Sequence, residues 1–308
     1  MKRRLNVRRG FALAAVLWVL TVAAVLGAST ALVGRSAYGA ARNRVNAERA
    51  YWLAEACLAA MRSLADHALF AADPSLLTQI WRSLDRNVAA MHPPLALRCQ
   101  VSLTAVGSSI DINGSSDVVL RKFFLNATGT PTGDALTDAL LDWRDPDDDQ
   151  RALGAERSWY DANGQQAPRN DSLASVRELA LVRGMASHHD LWPYLTVERS
   201  RICLTTAPGP VLAALPGFVD ETVVQLLSDR AQGLFFSNLN ALQSELSSSA
   251  ADSLQAHFPE LAALTTADPD GWMLTVRARA GLPPVAVTTE VRLDRFAGHT
   301  VILRRRTQ

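Results

Sequence analysis

The sequence predicts an α+β protein in which a long N-terminal helix packs on an antiparallel β-sheet, with a large α-helical domain inserted into that sheet. An uncharged stretch of 23 residues near the start of the chain leads into an amphipathic helical pattern. Three segments of alternating polarity close the chain, and helical patterns lie before them. Strands separated by a run of helices indicate segregated α and β layers, as in an α+β protein.

The composition is that of a globular protein. The chain has 308 residues, of which 48% are hydrophobic and 20% charged, and this excludes a collagenous, disordered or disulfide-dense chain. The formal net charge is +1, so the whole molecule has no general attraction for nucleic acid. The first ten residues hold five basic residues and no acid, which leaves the remaining chain mildly acidic.

Residues 11–33 predict a transmembrane helix. They read FALAAVLWVLTVAAVLGASTALV, and an α-helix of that length spans ~35 Å, enough to cross a bilayer. Because basic residues precede this helix, the positive-inside tendency places the N-terminus in the cytoplasm. The rest of the chain then faces outward, which predicts an inner-membrane protein with its globular part in the periplasm.

Three kinds of leader are compatible with this start. A secretory signal needs a short apolar region and a small-x-small cleavage site, for which Ala28 to Ala31 is a candidate. A plain signal anchor needs no cleavage. The third is a short basic leader that ends in Gly directly before the helix, and Gly10 followed by Phe11 fits it. In this feature the chain resembles the type IV pilin and type II secretion pseudopilin superfamily. The resemblance implies a leader of residues 1–10, cleavage between Gly10 and Phe11, and methylation of Phe11.

The fifth residue after the predicted cleavage site is Ala15. Most pilin-like proteins carry Glu at this position, where a carboxylate inside the bilayer needs a partner from the neighbouring subunit. The minor pseudopilin K typically lacks that Glu. Ala15 is therefore typical of a subunit at the end of a filament.

Residues 34–130 are predicted to hold an amphipathic helix and the first strands of a pilin-like domain. Leu53, Cys57, Met61 and Leu64 recur at helical spacings. A second helical stretch is predicted from Asp73 to Met91. The predicted strands are Leu95 to Leu103 and Val118 to Leu125.

Residues 267–308 predict an antiparallel meander of three strands. These strands can join the earlier ones in one sheet only if residues 131–266 are an insertion. The candidate helices of that insertion are Leu136 to Trp143, Ser175 to Gly184, Pro208 to Leu215 and Glu221 to Arg230.

The insertion also resembles the minor pseudopilin K family of type II secretion, which is known for a sheet interrupted by an α-domain. The matching pieces occur in family order and are Ala139 to Asp147, Gly154 to Glu156, Leu173 to Leu179, Val182 to Met185 and Pro193 to Val197.

The densest polar cluster predicts a Ca²⁺ site. Hard cations take six to eight oxygen ligands, which carboxylates at alternating loop positions can supply. An alternative is a solvated acidic loop with Asp caps on helix ends. Calcium in the α-domain is also what the family resemblance implies. The predicted ligands are Asp142, Asp145, Asp147, Asp149 and Glu156.

Residues 206–218 resemble a helix-hairpin-helix motif, which in repair proteins grips DNA phosphates. Asp220 and Glu221 follow directly and place acid where a phosphate would approach. A structural hairpin is favoured, and no nucleic-acid partner is predicted.

The three cysteines match no metal-ligand spacing. A bond between Cys57 and Cys99 is conceivable, and so are three buried thiols that act as small hydrophobic side chains.

These patterns favour a minor pseudopilin of the type II secretion system, a non-enzymatic subunit at the tip of the periplasmic pseudopilus that helps to initiate its assembly. The resemblance implies the minor pseudopilins I, J and H, the major pseudopilin G and the prepilin peptidase as partners. Two alternatives are a signal-anchored periplasmic metal-dependent hydrolase that uses the acidic cluster, and a DNA-binding pilin of an uptake system.

Overall fold

The computed structural model describes residues 8–70, 76–91, 99–234, 236, 238–296 and 299–307. Of residues 8–12 only the backbone is described. Most of the predicted leader, the start of the predicted strand at Leu95, and residues 73–75 of the second helical stretch therefore lie outside the described residues.

The described residues form helices, four longer strands and four strands of two residues each. The α-helices are α1 (Arg8–Phe70), α2 (Leu77–Arg82), α3 (Leu84–Ala90), α4 (Asp117–Thr128), α5 (Thr132–Arg144), α6 (Arg157–Ala162), α7 (Gly209–Ala213), α8 (Asp220–Ala231), α9 (Leu239–Gln243), α10 (Ser248–Ala256) and α11 (Phe258–Leu264). The strands are β1 (Cys99–Ala105), β2 (Ile110–Asp111), β3 (Leu195–Thr196), β4 (Ile202–Cys203), β5 (Thr265–Thr266), β6 (Trp272–Ala280), β7 (Val285–Phe296) and β8 (His299–Thr307). Among the described residues, Val176–Leu181, Met185–Ser187 and His189–Tyr194 form 3₁₀ helices.

Helix α1 has 63 residues and is ~95 Å long at the usual helical rise. Its first half, as far as Val45, is exposed where its side chains are described, and its second half is amphipathic. From Asn46 onward a buried stripe returns every three or four residues, the period of one helix face. Several residues of this stripe are alanines, and their small side chains let the helix approach the sheet closely. The stripe is Asn46, Ala50, Ala54, Cys57, Leu58, Met61, Ala65, Ala68 and Leu69.

The sheet has the strand order β1-β6-β7-β8, and every neighbouring pair is antiparallel. One face of β6 and β7 is buried against α1, as the period-2 pattern of these strands requires. The predicted three-strand meander at the C-terminus is confirmed, and so is the α+β fold class. Because β1 precedes the helical residues and β6 follows them, the helical domain interrupts the sheet between adjacent strands.

Helix α1 is bonded covalently to the sheet. Cys57 on α1 and Cys99 at the start of β1 form a disulfide, with their Cα atoms 6.6 Å apart. Cys203 is a buried free cysteine. Of the two interpretations of the cysteines that the sequence allowed, the structure therefore has the Cys57–Cys99 bond.

The predicted strand Val118 to Leu125 is wrong, because these residues form most of helix α4. Ser116 caps the helix by accepting a hydrogen bond from the Val119 amide. Val119, Leu120, Phe123 and Phe124 are buried together on one face of α4. The hydrophobic run of this segment satisfies a helical face as well as a strand, and packing against α5 selects the helix.

The helical domain has a core of its own, separate from the core beneath the sheet. This core includes Ile110 and Ile112 and continues to Leu261, so it begins before the predicted start of the insertion at residue 131. Helices α9, α10 and α11 were not predicted. They are short, and Asn238 and Ser247 begin α9 and α10 with side-chain caps.

The C-terminal strand joins the two parts of the molecule. Arg305 pairs with Glu55 on α1, and the preceding residue Arg304 pairs with Glu198 of the helical domain. Successive side chains of a strand point to opposite faces, so these two arginines reach opposite sides of the sheet. Arg82 on α2 likewise pairs with Asp268, which lies just before β6.

Helices α4 and α5 pack closely at Gly133, and we predict that Gly133→Ala destabilises the helical domain. A Cβ at residue 133 would lie 2.6 Å from the amide nitrogen of Leu125 and 2.7 Å from its Cα, which are backbone atoms of α4. Overpacking of this kind costs roughly 1–3 kcal/mol. Chemical denaturation of the full chain in detergent should show the loss.

Gly39→Ala provides the control, because a Cβ at this helical glycine of α1 would meet no neighbouring atom within 4 Å. We expect its unfolding midpoint to stay at or slightly above that of the unsubstituted chain. Equal midpoints for both variants would contradict the close approach of α4 and α5.

Candidate functional site

Two features of the chain can carry function: the exposed half of α1 and an acidic loop in the helical domain. The described helix Leu13–Phe70 contains a window that is long and apolar enough to cross a membrane, and none of that window is buried. Leu17, Trp18, Val25 and Leu32 are all more than half exposed. This surface fits lipid or the apolar helices of other subunits. The predicted processing site Gly10–Phe11 lies in the first turns of α1, where only the backbone is described.

The acidic loop, residues 145–156, connects α5 to α6. Helix α5 ends at Arg144, and Asp145 follows in an extended conformation. The Asp147 carboxylate then accepts a hydrogen bond from the Asp149 amide at 2.9 Å, which turns the chain. The loop ends at Glu156, the residue before α6. The turn at Asp147 thus lets carboxylates that are distant in sequence come together.

Three carboxylates of this loop meet, and we call them the carboxylate triad: Asp145, Asp147 and Glu156. One oxygen of each lies within 4.8 Å of the others. Glu156 is 1% exposed, and neither of its oxygens has a hydrogen-bond partner among the described residues. Asp145 Oδ1 is also buried without a partner there. Because burying an unpaired carboxylate is costly, the triad is suited to a cation that supplies the missing charge.

The electrostatics of Glu156 agree with this geometry. Burial raises the pKa of Glu156 to about 7, and the negative charges of Asp142, Asp145, Asp148 and Asp147 add to the shift. At neutral pH a substantial fraction of this side chain is therefore protonated when no cation is bound. A divalent cation would favour its ionised form.

Asp142 lies beside the triad but is already engaged. It is fully buried, and Arg151 donates to it from its backbone amide and from Nη1, the latter at 2.7 Å. Burial raises the pKa of Asp142, although its hydrogen bonds with Arg151 act in the opposite direction. Gly154 lies against the same carboxylate, since a Cβ there would be 1.9 Å from Asp142 Oδ2. Only a glycine leaves room for this arrangement.

The structure therefore divides the five predicted ligands. Asp145, Asp147 and Glu156 come together, Asp142 is paired with Arg151, and Asp149 is exposed outside the triad. One residue was missed: Asn170 donates to the Asp147 carbonyl at 2.6 Å and to Asp148, and its amide oxygen is buried without a partner among the described residues. Only its position after Asn163-Gly164 and Pro168, in a loop, could have indicated it.

The hairpin between α7 and α8 is packed inside the helical domain. Gly217 has φ +70°, and a Cβ there would lie 2.6 Å from the Ser253 carbonyl on α10. Ser253 also donates to the Gly217 carbonyl at 3.1 Å. Lys122 on α4 donates to the carbonyls of Leu215 and Phe218 at 2.6 and 2.9 Å. The carbonyl oxygens of this turn thus accept hydrogen bonds from within the chain, and Gly217 packs against α10.

Residues 114–198 match the sequence profile of the family described as type II secretion system (T2SS), protein K. This segment begins just before α4, ends just after β3 and contains the whole acidic loop. The match confirms the resemblance to this family that the sequence predicted.

The fold is similar to that of a chain in the crystal structure of the GspK–GspI–GspJ complex from the type 2 secretion system of enterotoxigenic Escherichia coli. The TM-score is 0.55 at 17% sequence identity, over 86% of this chain and 99% of that chain. At this identity the likeness is one of fold. No curated protein sequence matches the chain.

Proposed function

We propose that this chain, which carries a T2SS protein K segment at residues 114–198, is a minor pseudopilin K that acts in assembly and catalyses no reaction of its own. The observation that carries the proposal is the architecture. A 63-residue helix with an exposed apolar first half packs its second half on a sheet, and a helical domain with its own core interrupts that sheet.

The exposed half of α1 has two uses in this proposal. In the membrane it anchors the subunit, with the basic N-terminus in the cytoplasm and the globular part in the periplasm. In the pseudopilus it packs against the helices of neighbouring subunits, where apolar helices associate by close packing. Both uses need an exposed apolar surface, which α1 has over the described side chains as far as Val33.

The helical domain supports a position at the tip. A helical filament repeats one head-to-tail contact, so a large domain inserted on one subunit would block the next subunit above it. Such a domain is tolerated only where no subunit follows. Ala15 agrees with this position. A terminal subunit has no neighbour on one side, so it needs no carboxylate within the bilayer to pair with that neighbour.

The partners we propose are the minor pseudopilins I and J, by analogy with the complex whose chain shares this fold. Minor pseudopilin H, major pseudopilin G and the prepilin peptidase complete the set. With these partners the subunit would help to start the pseudopilus and thereby support protein secretion.

Calcium is the cation we propose for the carboxylate triad. Asp145, Asp147 and Glu156 would hold it, and the buried oxygens of Glu156 and Asp145 that lack partners among the described residues fit a cation that takes oxygen ligands. Bound calcium would supply positive charge that fixes the acidic loop between α5 and α6. Its role is structural, since it would order a loop of the domain.

The processing step provides the test of the proposal, and we predict that the mature chain begins with methylated Phe11. Mass spectrometry of the N-terminal peptide should show this form only in cells that contain a prepilin peptidase. We expect Gly10→Val to abolish processing, because a side chain next to the scissile bond would obstruct the peptidase. The processed chain should then co-purify with I and J.

Gly27→Val is the matched control, since it places the same side chain deeper in the apolar helix and should leave cleavage intact. An unprocessed leader in the presence of the peptidase, or cleavage beyond Ala28, would contradict the pseudopilin proposal. Either result would favour a signal-anchored hydrolase, which should then lose turnover when Asp145 or Asp147 is replaced.

A further inference from the structure

The acidic loop contains a cation of its own, Arg151. Its Nη1 atom lies 2.7 Å from Asp142 Oδ1 and 2.5 Å from Asp145 Oδ2, and its backbone amide donates to Asp142 Oδ2 at 3.2 Å. The Arg151 side chain is 37% exposed, whereas that of Asp142 is fully buried. A residue in the middle of the loop thus bonds to two acidic residues near its beginning.

Asp145 is shared between Arg151 and the carboxylate triad. Its Oδ2 atom accepts the bond from Arg151, whereas its Oδ1 atom is buried and has no partner in the described part of the chain. Asp145 also lies within 4.8 Å of Asp147 and Glu156 through one of its oxygens. The guanidinium and a metal ion in the triad would therefore be neighbours that share the Asp145 carboxylate.

We propose that Arg151 is a resident counter-cation of the acidic loop: it holds Asp142 and Asp145 in place without metal, and its charge weakens calcium binding at the triad. The inference rests on the proposed calcium site. Two positive charges a few ångströms apart repel each other, and partial burial reduces solvent screening of that repulsion. Arg151 does not leave when calcium binds, because Asp142 would then be a buried charge held only by the Arg151 backbone amide, with no cationic partner.

Calcium titration calorimetry on the full chain in detergent, after removal of metal with EDTA, tests this role. We expect Arg151→Gln to tighten the calcium dissociation constant about tenfold, which corresponds to about 1.4 kcal/mol. Its melting temperature without calcium should fall, because Asp142 loses its cationic partner and keeps only the backbone amide bond. Arg151→Lys keeps the charge and should bind calcium as the unsubstituted chain does.

A second pair of variants covers the case in which Arg151→Gln does not fold. Asp142→Asn removes the buried charge that needs Arg151, so the double variant Asp142→Asn with Arg151→Gln leaves no carboxylate unpaired at residue 142. We expect the double variant to bind calcium about tenfold more tightly than Asp142→Asn alone. Arg157→Gln controls for the loss of one positive charge near the loop, since Arg157 is exposed and makes no ion pair among the described residues. This variant should change the calcium affinity less than threefold.

The results separate this inference from the calcium proposal itself. If the folded, unsubstituted chain binds no calcium at millimolar concentration, the calcium site is overturned. If that chain binds calcium but removing the charge of Arg151 leaves affinity unchanged or weaker in both backgrounds, the site stands and the role of Arg151 is overturned.

Discussion

Replacing both Cys57 and Cys99 by serine should lower the free energy of unfolding of the pilin-like part by about 4 kcal/mol. The disulfide closes a loop over a sequence separation of 42 residues between α1 and β1. In the chain-entropy account, a cross-link over a loop of that length removes about 4 kcal/mol of conformational entropy from the unfolded state. Both cysteines lie in the core beneath the sheet, so the loss falls on the contact between α1 and β1.

Chemical denaturation with and without dithiothreitol measures this effect in the full chain. The unsubstituted chain should lose stability when it is reduced. The double serine variant should have the same free energy of unfolding as the reduced chain, and dithiothreitol should change it little. Cys203→Ala is the control, because this free buried cysteine lies in the other part of the molecule and its replacement should preserve the response to reductant. A double variant as stable as the oxidised chain would show that the bond contributes nothing.

Calcium should raise the melting temperature of the chain by roughly 5–10 °C at neutral pH. At a calcium concentration about one hundred times the dissociation constant, binding adds about 2.7 kcal/mol to the free energy of unfolding. In a domain of roughly 150–250 residues, each kcal/mol raises the melting temperature by about 2–4 °C. Differential scanning calorimetry in calcium and in EDTA measures the shift. We expect Glu156→Gln to abolish it, because this substitution removes the most buried carboxylate of the triad.

Asp149→Asn is the matched control for the calcium effect, since Asp149 is in the same loop but exposed and outside the triad. This variant should keep most of the calcium-dependent shift. An equal loss in both variants would indicate that calcium responds to the charge of the whole loop, and that the triad is not its site.

The pKa of Glu156 sets a pH dependence with a defined sign. Its folded-state pKa, about 7, is above the ordinary glutamate value of 4.5. The stabilisation from protonated Glu156 is therefore fully present below the unfolded pKa and is lost as pH rises through about 7. In EDTA the chain should be less stable at pH 8 than at pH 5. Calcium should reduce or reverse this difference, because it favours the ionised carboxylate.

Prediction from the sequence succeeded where the signal is local and failed where two structures share one pattern. The alternation in β6 and β7 has a period of two residues, which a helix does not match, and these strands were predicted. The segment Val118 to Leu125 carries β-branched and aromatic residues that suit either a strand or a helix. The Ser116 cap and the packing against α5 determined the helix.

The candidate site shows the same limit. An acid-rich loop after a helix is visible in the sequence, and its residues include all three members of the triad. The pairing of Asp142 with Arg151 and the approach of Asp147 to Asn170 depend on how the loop folds back on itself. Sequence spacing does not determine such contacts, because many loop conformations place the same residues differently.

The sequence alone determined the apolar N-terminal helix, the closing strands, the acidic loop and the family resemblance, because each of these is a property of neighbouring residues. The tertiary structure decided which cysteines join, which carboxylates meet, and that carbonyls of the hairpin turn accept hydrogen bonds from Lys122 and Ser253. Each of those outcomes is a contact between residues far apart in the chain. The packing of the two cores determines such contacts, and a pattern of neighbouring residues does not predict them.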